Sequence, residues 1–221
     1  MTVFLNAYLE GMEEVQIYRL SERAITISWK QKIDRDIHAL VLETDRRICT
    51  RPFAGWIENV PAYHTLTVYY DPFVSEFDPS ELLVEVAAKN IESGLFVGRP
   101  LKIPVRYGGP DLLAAAEKLG LTAEELIRLH TSRTYHVYML GFMPGFPYMG
   151  SLPDELVLPR KAVPSPKVLA GSVAIAGRQT GIYPVDSPGG WYVIGHTSIP
   201  LFSGGKSYFD AGDEVEFYQA S

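Results

Sequence analysis

Between Gly141 and Gly190 lie eight of the chain's sixteen prolines and eight of its nineteen glycines. Proline removes a ladder donor and glycine weakens a strand interior, so long regular strands are excluded from this stretch. The β-prone pieces set between them are short: Val168–Leu169, Ser172–Ala176, Trp191–Ile194 and, further on, Glu214–Tyr218. Short strands joined by tight loops predict a closed or partly closed β-barrel for the C-terminal half.

The segments upstream have ordinary periodicity. Leu101 to Tyr107 and Tyr135 to Leu140 read as strands flanking two short helices, Asp111 to Leu119 and Thr122 to His130. The second helix opens on Thr122-Ala-Glu-Glu125, a capping box in which hydroxyl and carboxylate satisfy orphan backbone N–H groups reciprocally. In the first hundred residues, Ala24 to Trp29 alternates like a strand, and Ile33 to Ile48 carries apolar residues near helical spacing. Ala62 to Tyr70 is again strand-like and is ended by Asp71-Pro72. Ser80 to Glu92 reads as a helix with Asp78 as N-cap, Pro79 near its first turn and Gly94 closing it. This β-α-β-α rhythm predicts a small α/β domain of ferredoxin-like type over residues 1–94. Gly94 to Pro100 serves as linker to a second domain over 95–221, and the chain as a whole is α+β.

Charge and cysteine content narrow the classes of function. A net charge of −6 and a pI near 5.4 argue against a sequence-independent grip on nucleic acid. Cys49 is the only cysteine, so an intrachain disulfide is excluded, and a small core position at a helix end or in a buried strand is its expected place. The first residues lack a basic and apolar leader pattern, and no apolar run approaches the ~20 residues of a membrane span. A cytoplasmic protein is expected. The five histidines show no metal-box spacing, so no metal site is expected. Gly204-Gly-Lys-Ser207 mimics the end of a phosphate loop, but Pro200 occupies the position of its first glycine, and a surface turn is expected instead.

Three stretches combine backbone freedom with stiff corners: Leu140 to Gly150, Ala170 to Pro184, and Ser187 to Trp191. Glycine lets main chain approach a ligand closely, and neighbouring proline sets the loop's shape before binding. Arg160, Lys161, Lys167 and Arg178 can supply charge-assisted bonds to a carboxylate or phosphate. Ser172, Gln179, Thr180, Tyr183 and Ser187 can orient neutral groups. Phe142, Pro144, Phe146, Tyr148 and Trp191 divide between barrel core and the lining of a cleft. The alternative is that these turns are simply the corners of a small barrel plugged by aromatic rings.

Taken in order, GFMPGFPYMG, the pair Pro159-Arg160, AGSVAIAGRQTGIYP and SPGGW resemble the signature of one family. It is known as the 5-oxoprolinase B-subunit family, the sporulation-kinase inhibitor family, and allophanate hydrolase subunit 1. The resemblance is dense from Tyr107 to Phe202. It implies a cyclophilin-like barrel for the C-terminal domain, and work beside a related C subunit together with a lactam-binding A subunit. It further implies ATP-dependent cleavage of 5-oxo-L-proline to L-glutamate, with ATP and Mg shared among the partners. Since the chain carries no complete nucleotide motif, part of a composite site at an interface with the C subunit is expected of it. One branch of the family instead binds and inhibits a sensor histidine kinase, which is the alternative function. His130 matches a histidine common in the family, and with Asp186 it is the available acid–base pair; capping of a helix C-terminus is the other role open to it. The sequence departs from the family pattern at Ser165, Leu169 and His196, where family members usually carry other residues.

Overall fold

The computed structural model describes residues 5–7, 15–74 and 98–220. The chain divides into two compact units, Met1–Val97 and Gly98–Ser221. Among the described residues no helix is long and apolar enough to cross a membrane.

In the first unit, β1 (Leu5–Ala7), β2 (Val15–Ser21), β3 (Ala24–Ser28), β4 (Trp56–Pro61) and β5 (Thr65–Tyr70) form an antiparallel sheet in the order β1-β2-β3-β5-β4. Alternation decides which face is buried. Ile25 and Ile27 of β3 and Leu66 and Val68 of β5 point to one core with Val41 and Ile48 of the helix α1 (Arg35–Thr50). Asp34 starts that helix by accepting from the Asp36 N–H at 2.9 Å. Three of the expected elements are present here, as β3, α1 and β5. The rhythm missed β1, β2 and β4. β4 is an edge strand with Glu58, Asn59 and a terminal Pro61, a composition that reads as loop but is tolerated at an edge. The second helix of the ferredoxin-like expectation, Ser80 to Glu92, lies outside the described residues.

Cys49 is not the core residue expected of it. It is exposed near the end of α1, where partial burial and the Asp45 carboxylate push its thiol pKa up. Glu43, by contrast, is buried on the same helix. Hydrogen bonds from Arg46 and Arg47, at 2.7 Å, hold its carboxyl down at about 2.

The second unit is a closed seven-stranded barrel. In chain order its strands are β6 (Pro100–Tyr107), β7 (Thr134–Leu140), β8 (Pro147–Gly150), β10 (Ser172–Ala176), β11 (Gln179–Ile182), β13 (Tyr192–His196) and β16 (Glu214–Gln219). They close in the order β10-β11-β8-β7-β16-β6-β13, with β13 returning to β10. All pairs are antiparallel except β16 with β6. Two short ribbons lie outside the barrel, β9 (Ser165–Val168) with β12 (Ser187–Gly189), and β14 (Phe202–Ser203) with β15 (Lys206–Ser207). The last is a hairpin whose two central residues, Gly204 and Gly205, have φ of 57° and 77°. Positive φ at both positions is the twist-matched two-residue turn, which accounts for the Gly-Gly-Lys-Ser run without a phosphate.

The helices α2 (Leu112–Leu119) and α3 (Ala123–His130) fill the stretch between β6 and β7. The capping box of α3 is present as expected, with Glu125 N–H to Thr122 Oγ1 at 3.2 Å and Thr122 N–H to Glu125 Oε2 at 2.8 Å. His130 ends this helix inside the barrel core, with no exposed surface. Its ring lies 4.7 Å from Phe217 and 5.4 Å from Tyr135, centroid to centroid. Thr180 gives its hydroxyl hydrogen to the Ala174 carbonyl at 3.2 Å, so it accepts from His130 Nε2–H at 2.9 Å. Nδ1 then accepts from the Tyr107 hydroxyl at 2.7 Å. Both nitrogens are engaged, and burial drives the imidazole from its ordinary pKa of 6.5 down to about 3. It is a neutral core histidine, not a charged helix cap.

That burial makes stability depend on pH with a fixed sign. A base whose folded pKa is depressed binds protons more readily when unfolded, so its contribution is complete above pH 6.5 and is lost as pH falls toward about 3. Wild type is expected to lose about 2 kcal/mol relative to His130→Phe between pH 7 and pH 5. Urea unfolding of both proteins at the two pH values measures the difference; parallel losses would show that His130 is protonated in the fold.

Candidate functional site

The three glycine- and proline-rich stretches meet on one side of the barrel around the ring of Phe146. That side chain is 1% exposed and contacts four other rings edge-on. Its centroid lies 5.9 Å from Phe142, 4.9 Å from Tyr148, 5.2 Å from Tyr183 and 5.4 Å from Trp191. Tyr148 and Trp191 close the group at 5.8 Å. Edge-to-face packing lets each positive ring edge meet a negative ring face, which adds to the burial itself.

Small residues make the room. A Cβ at Gly181 would lie 2.8 Å from Phe146 Cζ, and one at Gly189 would lie 2.2 Å from the Tyr183 hydroxyl oxygen. Phe146, Tyr183 and Trp191 therefore fill the space between the turns rather than lining a hollow. Two clefts of the structure lie elsewhere. One, of about 450 Å³, is bordered by Lys102, Arg133, Glu216 and Tyr218; the other, of about 560 Å³, by Gln16, Ser28, His64 and Thr65 of the first unit.

The outer edge of the ring cluster is accessible. Tyr148 is half-buried, Pro144 is exposed and Phe142 is 66% exposed. Arg160 stands beside this edge, and its guanidinium favours the ionised phenols of both Tyr148 and Tyr183. Burial outweighs that effect and leaves both phenols raised above their ordinary pKa, so they remain hydroxyl donors.

The basic side chains separate sharply by partner. Arg178 pairs with Asp154 at the exposed β10–β11 turn. Lys167 pairs with Asp186 at 3.0 Å, and Asp186 also accepts from the Ala170 N–H at 2.9 Å. Lys161 pairs with Asp111 at 2.8 Å. Arg160 alone of the four has no acid partner among the described residues. It is the cation left available to a ligand beside the aromatic edge.

The other expected residues are dispersed. His130 and Thr180 belong to the barrel interior, while Asp186 is exposed beyond β11; no hydrogen bond joins the expected acid and base. The Asp186 carboxyl is instead held low by the Ala170 N–H and by Lys167. Gln179 opens β11 opposite Gly150, and Ser172 is 5% exposed, accepting from the Tyr183 N–H through its carbonyl at 3.0 Å. Ser187 begins β12 and bonds the neighbouring Pro188 carbonyl at 3.2 Å. Sequence reasoning missed Asp111, Asp154 and Ser165, the partners that engage the basic groups. No spacing signals them, because each lies across the fold from its cation or in an irregular loop.

Among the described residues no three His, Cys, Asp or Glu side chains converge to hold a metal ion. The Gly204–Ser207 turn is a hairpin, and three of the four basic groups are paired.

Phe142 carries a cost that points to use. Its φ is 64°, a left-handed conformation that a bulky side chain adopts only under constraint, and glycine flanks it at Gly141. Such a residue stores roughly 1–3 kcal/mol. Phe142→Gly is expected to leave stability unchanged or to raise it by up to about 1 kcal/mol, since the ring buries little. Phe146→Ala is expected to cost about 3–5 kcal/mol. Chemical denaturation of the two variants tests the contrast, and a large loss at Phe142 would place it in the core instead.

The sequence profile of the carboxyltransferase domain, subdomain C and D, matches residues 15–208. A 5-oxoprolinase B subunit of Bacillus subtilis (strain 168) is 39% identical, the match covering 93% of each chain. A protein of the same name from Escherichia coli O157:H7 is 37% identical over 93% of this chain and 96% of its own. The crystal structure of TTHA0988 superposes with a TM-score of 0.81 at 35% identity over 90% of this chain, which spans 40% of that longer chain. The urea amidolyase of K. lactis shares the fold, with a TM-score of 0.77 at 14% identity. On these matches the chain belongs to the 5-oxoprolinase B-subunit family, within the carboxyltransferase domain class of subdomains C and D.

Proposed function

We propose that this chain is the B subunit of an ATP-dependent 5-oxoprolinase, opening 5-oxo-L-proline to L-glutamate, and that it contributes a carboxylate-recognising edge to a site completed by the A and C subunits. The observation that carries this reading is Arg160. Of the four basic groups in the glycine- and proline-rich half it is the one without an acid partner among the described residues. It lies near enough to the Tyr148 and Tyr183 phenols to favour their ionised forms, beside the half-buried Tyr148 ring. 5-Oxo-L-proline is a flat five-membered lactam bearing one carboxylate. A guanidinium takes the carboxylate with paired charge-assisted bonds, and the aromatic edge takes the ring methylenes. The relatives' shared name supports the substrate.

The lactam is an unactivated amide. Coupling to ATP would place a phosphoryl group on its carbonyl oxygen with release of ADP. One water would then add to the imidate carbon, and the ring C–N bond would break with the nitrogen leaving as the amine and the carbon retained as an acyl phosphate. A second water would release phosphate to leave L-glutamate. Phosphoryl transfer of this kind is catalysed chiefly by clamps on the phosphates and a bound metal. In this reading the nucleotide with its Mg would be shared with the partner subunits. This chain's residues bind and orient the carboxylate and exclude water from one side of the ring. In this assignment His130 supports the barrel wall behind the site, and Asp186 fixes the Ala170 turn.

Reconstitution tests the reading. The chain mixed with the A and C subunits is expected to release glutamate from 5-oxo-L-proline only when ATP is present, and the chain alone to release none. Arg160→Met in the complex should raise KM for 5-oxo-L-proline by about 10- to 100-fold, the equivalent of losing a charge-assisted contact of ~1.5–3 kcal/mol. Turnover by the isolated chain, or an unchanged KM in the variant, would refute it.

A further inference from the structure

Arg160 is useful only if its loop is held still, and the residue next to it has the means. Lys161 follows Arg160 in sequence but turns inward, with its side chain 12% exposed. Its ammonium donates to Asp111 Oδ2 at 2.8 Å and to Ser165 Oγ at 2.7 Å, and lies 6.0 Å from the centre of the Tyr192 ring. Its backbone N–H donates to the Gly190 carbonyl at 2.8 Å. Asp111 is anchored in turn. Its Oδ2 accepts from the Val193 N–H at 2.9 Å, and its own N–H donates to the Val193 carbonyl at 3.0 Å.

One ion pair therefore ties three elements: the start of α2, the irregular 159–165 loop and strand β13. Asp111 occupies the N-cap position of α2 yet makes no side-chain cap bond there, so its carboxylate is committed across the fold rather than to its own helix. A Cβ at Gly190 would lie 4.0 Å from Arg160 Cβ, which places the start of the Arg160 side chain against the same anchored turn. We propose that Lys161 and Asp111 are a positioning pair, which fixes the 159–165 loop so that the Arg160 guanidinium faces Tyr148 and Tyr183. The proposal rests on the reading of Arg160 as the carboxylate-recognising group. It also gives the departure at Ser165 a task, since that hydroxyl is the second acceptor for the ammonium.

The test follows the Tyr148 phenol, whose ionisation Arg160 favours. In the full-length chain labelled with ¹³C at the tyrosine ring carbon bearing oxygen, Tyr148→Phe assigns its signal among the thirteen tyrosines. Arg160→Met is expected to shift the Tyr148 titration upward. Lys161→Met is expected to shift it by the same increment, and Arg160→Met with Lys161→Met to shift it no further. Removing one partner alone strands a partly buried charge and threatens folding. Asp111→Asn with Lys161→Met avoids this, because the amide oxygen still accepts from Val193, and the same upward shift is expected. In the reconstituted complex Lys161→Met should raise KM for 5-oxo-L-proline with kcat nearly unchanged. A Tyr148 titration that moves in Arg160→Met but in neither Lys161 variant would overturn the positioning role, as would one that fails to move in Arg160→Met. If it moves in all of them while KM is insensitive to Arg160→Met, the positioning stands and the proposed function falls.

Discussion

Closure of the barrel is the constraint on which the second unit depends. β8 and β11 are four residues each and contain proline or glycine, so neither has the propensity to persist as a strand alone. They persist because each has a hydrogen-bonded neighbour strand on both sides in a closed ring without edges. The parallel pairing of β16 with β6 joins the two ends of the unit's sequence, Pro100 to Val105 against Glu214 to Gln219. Once the ring is shut, the interior is set by Tyr135, Val137, Ile175, Ile194 and Phe217, and the histidine at the end of α3 is locked among them.

The same closure sorts the polar chemistry. Inward, it neutralises: His130 is stripped of its charge by burial and held by hydroxyls from β6 and β11. Outward, it pairs: Asp111, Asp154 and Asp186 each engage a cation that sequence alone leaves available. Of the four basic groups of the glycine- and proline-rich half, the one left without an acid partner among the described residues is Arg160, beside a half-buried aromatic edge.

The residues themselves carried much of this. Alternation gave β3 and β5, helical spacing gave α1, and the Thr122-x-x-Glu125 box gave the start of α3. The density of Pro and Gly after Gly141 foretold short strands and a closed sheet. It also hid two of them, since Pro147-Tyr-Met-Gly150 and Gln179-Thr-Gly-Ile182 look like loop until their neighbours are known. Pro61 and the polar residues of β4 concealed an edge strand for the same reason. Cys49 was placed inside by its residue type, whereas its position on α1 turns it outward.

By itself, the sequence determined the barrel-forming half, the caps and turns, the aromatic and basic inventory of the site, and the family signature. These are local matters of backbone freedom, side-chain shape and order along the chain. Tertiary structure alone decided which rings were buried plugs and which stayed at the surface, and which cations were already spoken for. Partners such as Lys161 with Asp111, or Tyr107 with His130, are brought together only when the ring of strands shuts. Pairing across a closed sheet depends on register and on what lies opposite, and that information is not written at any one position.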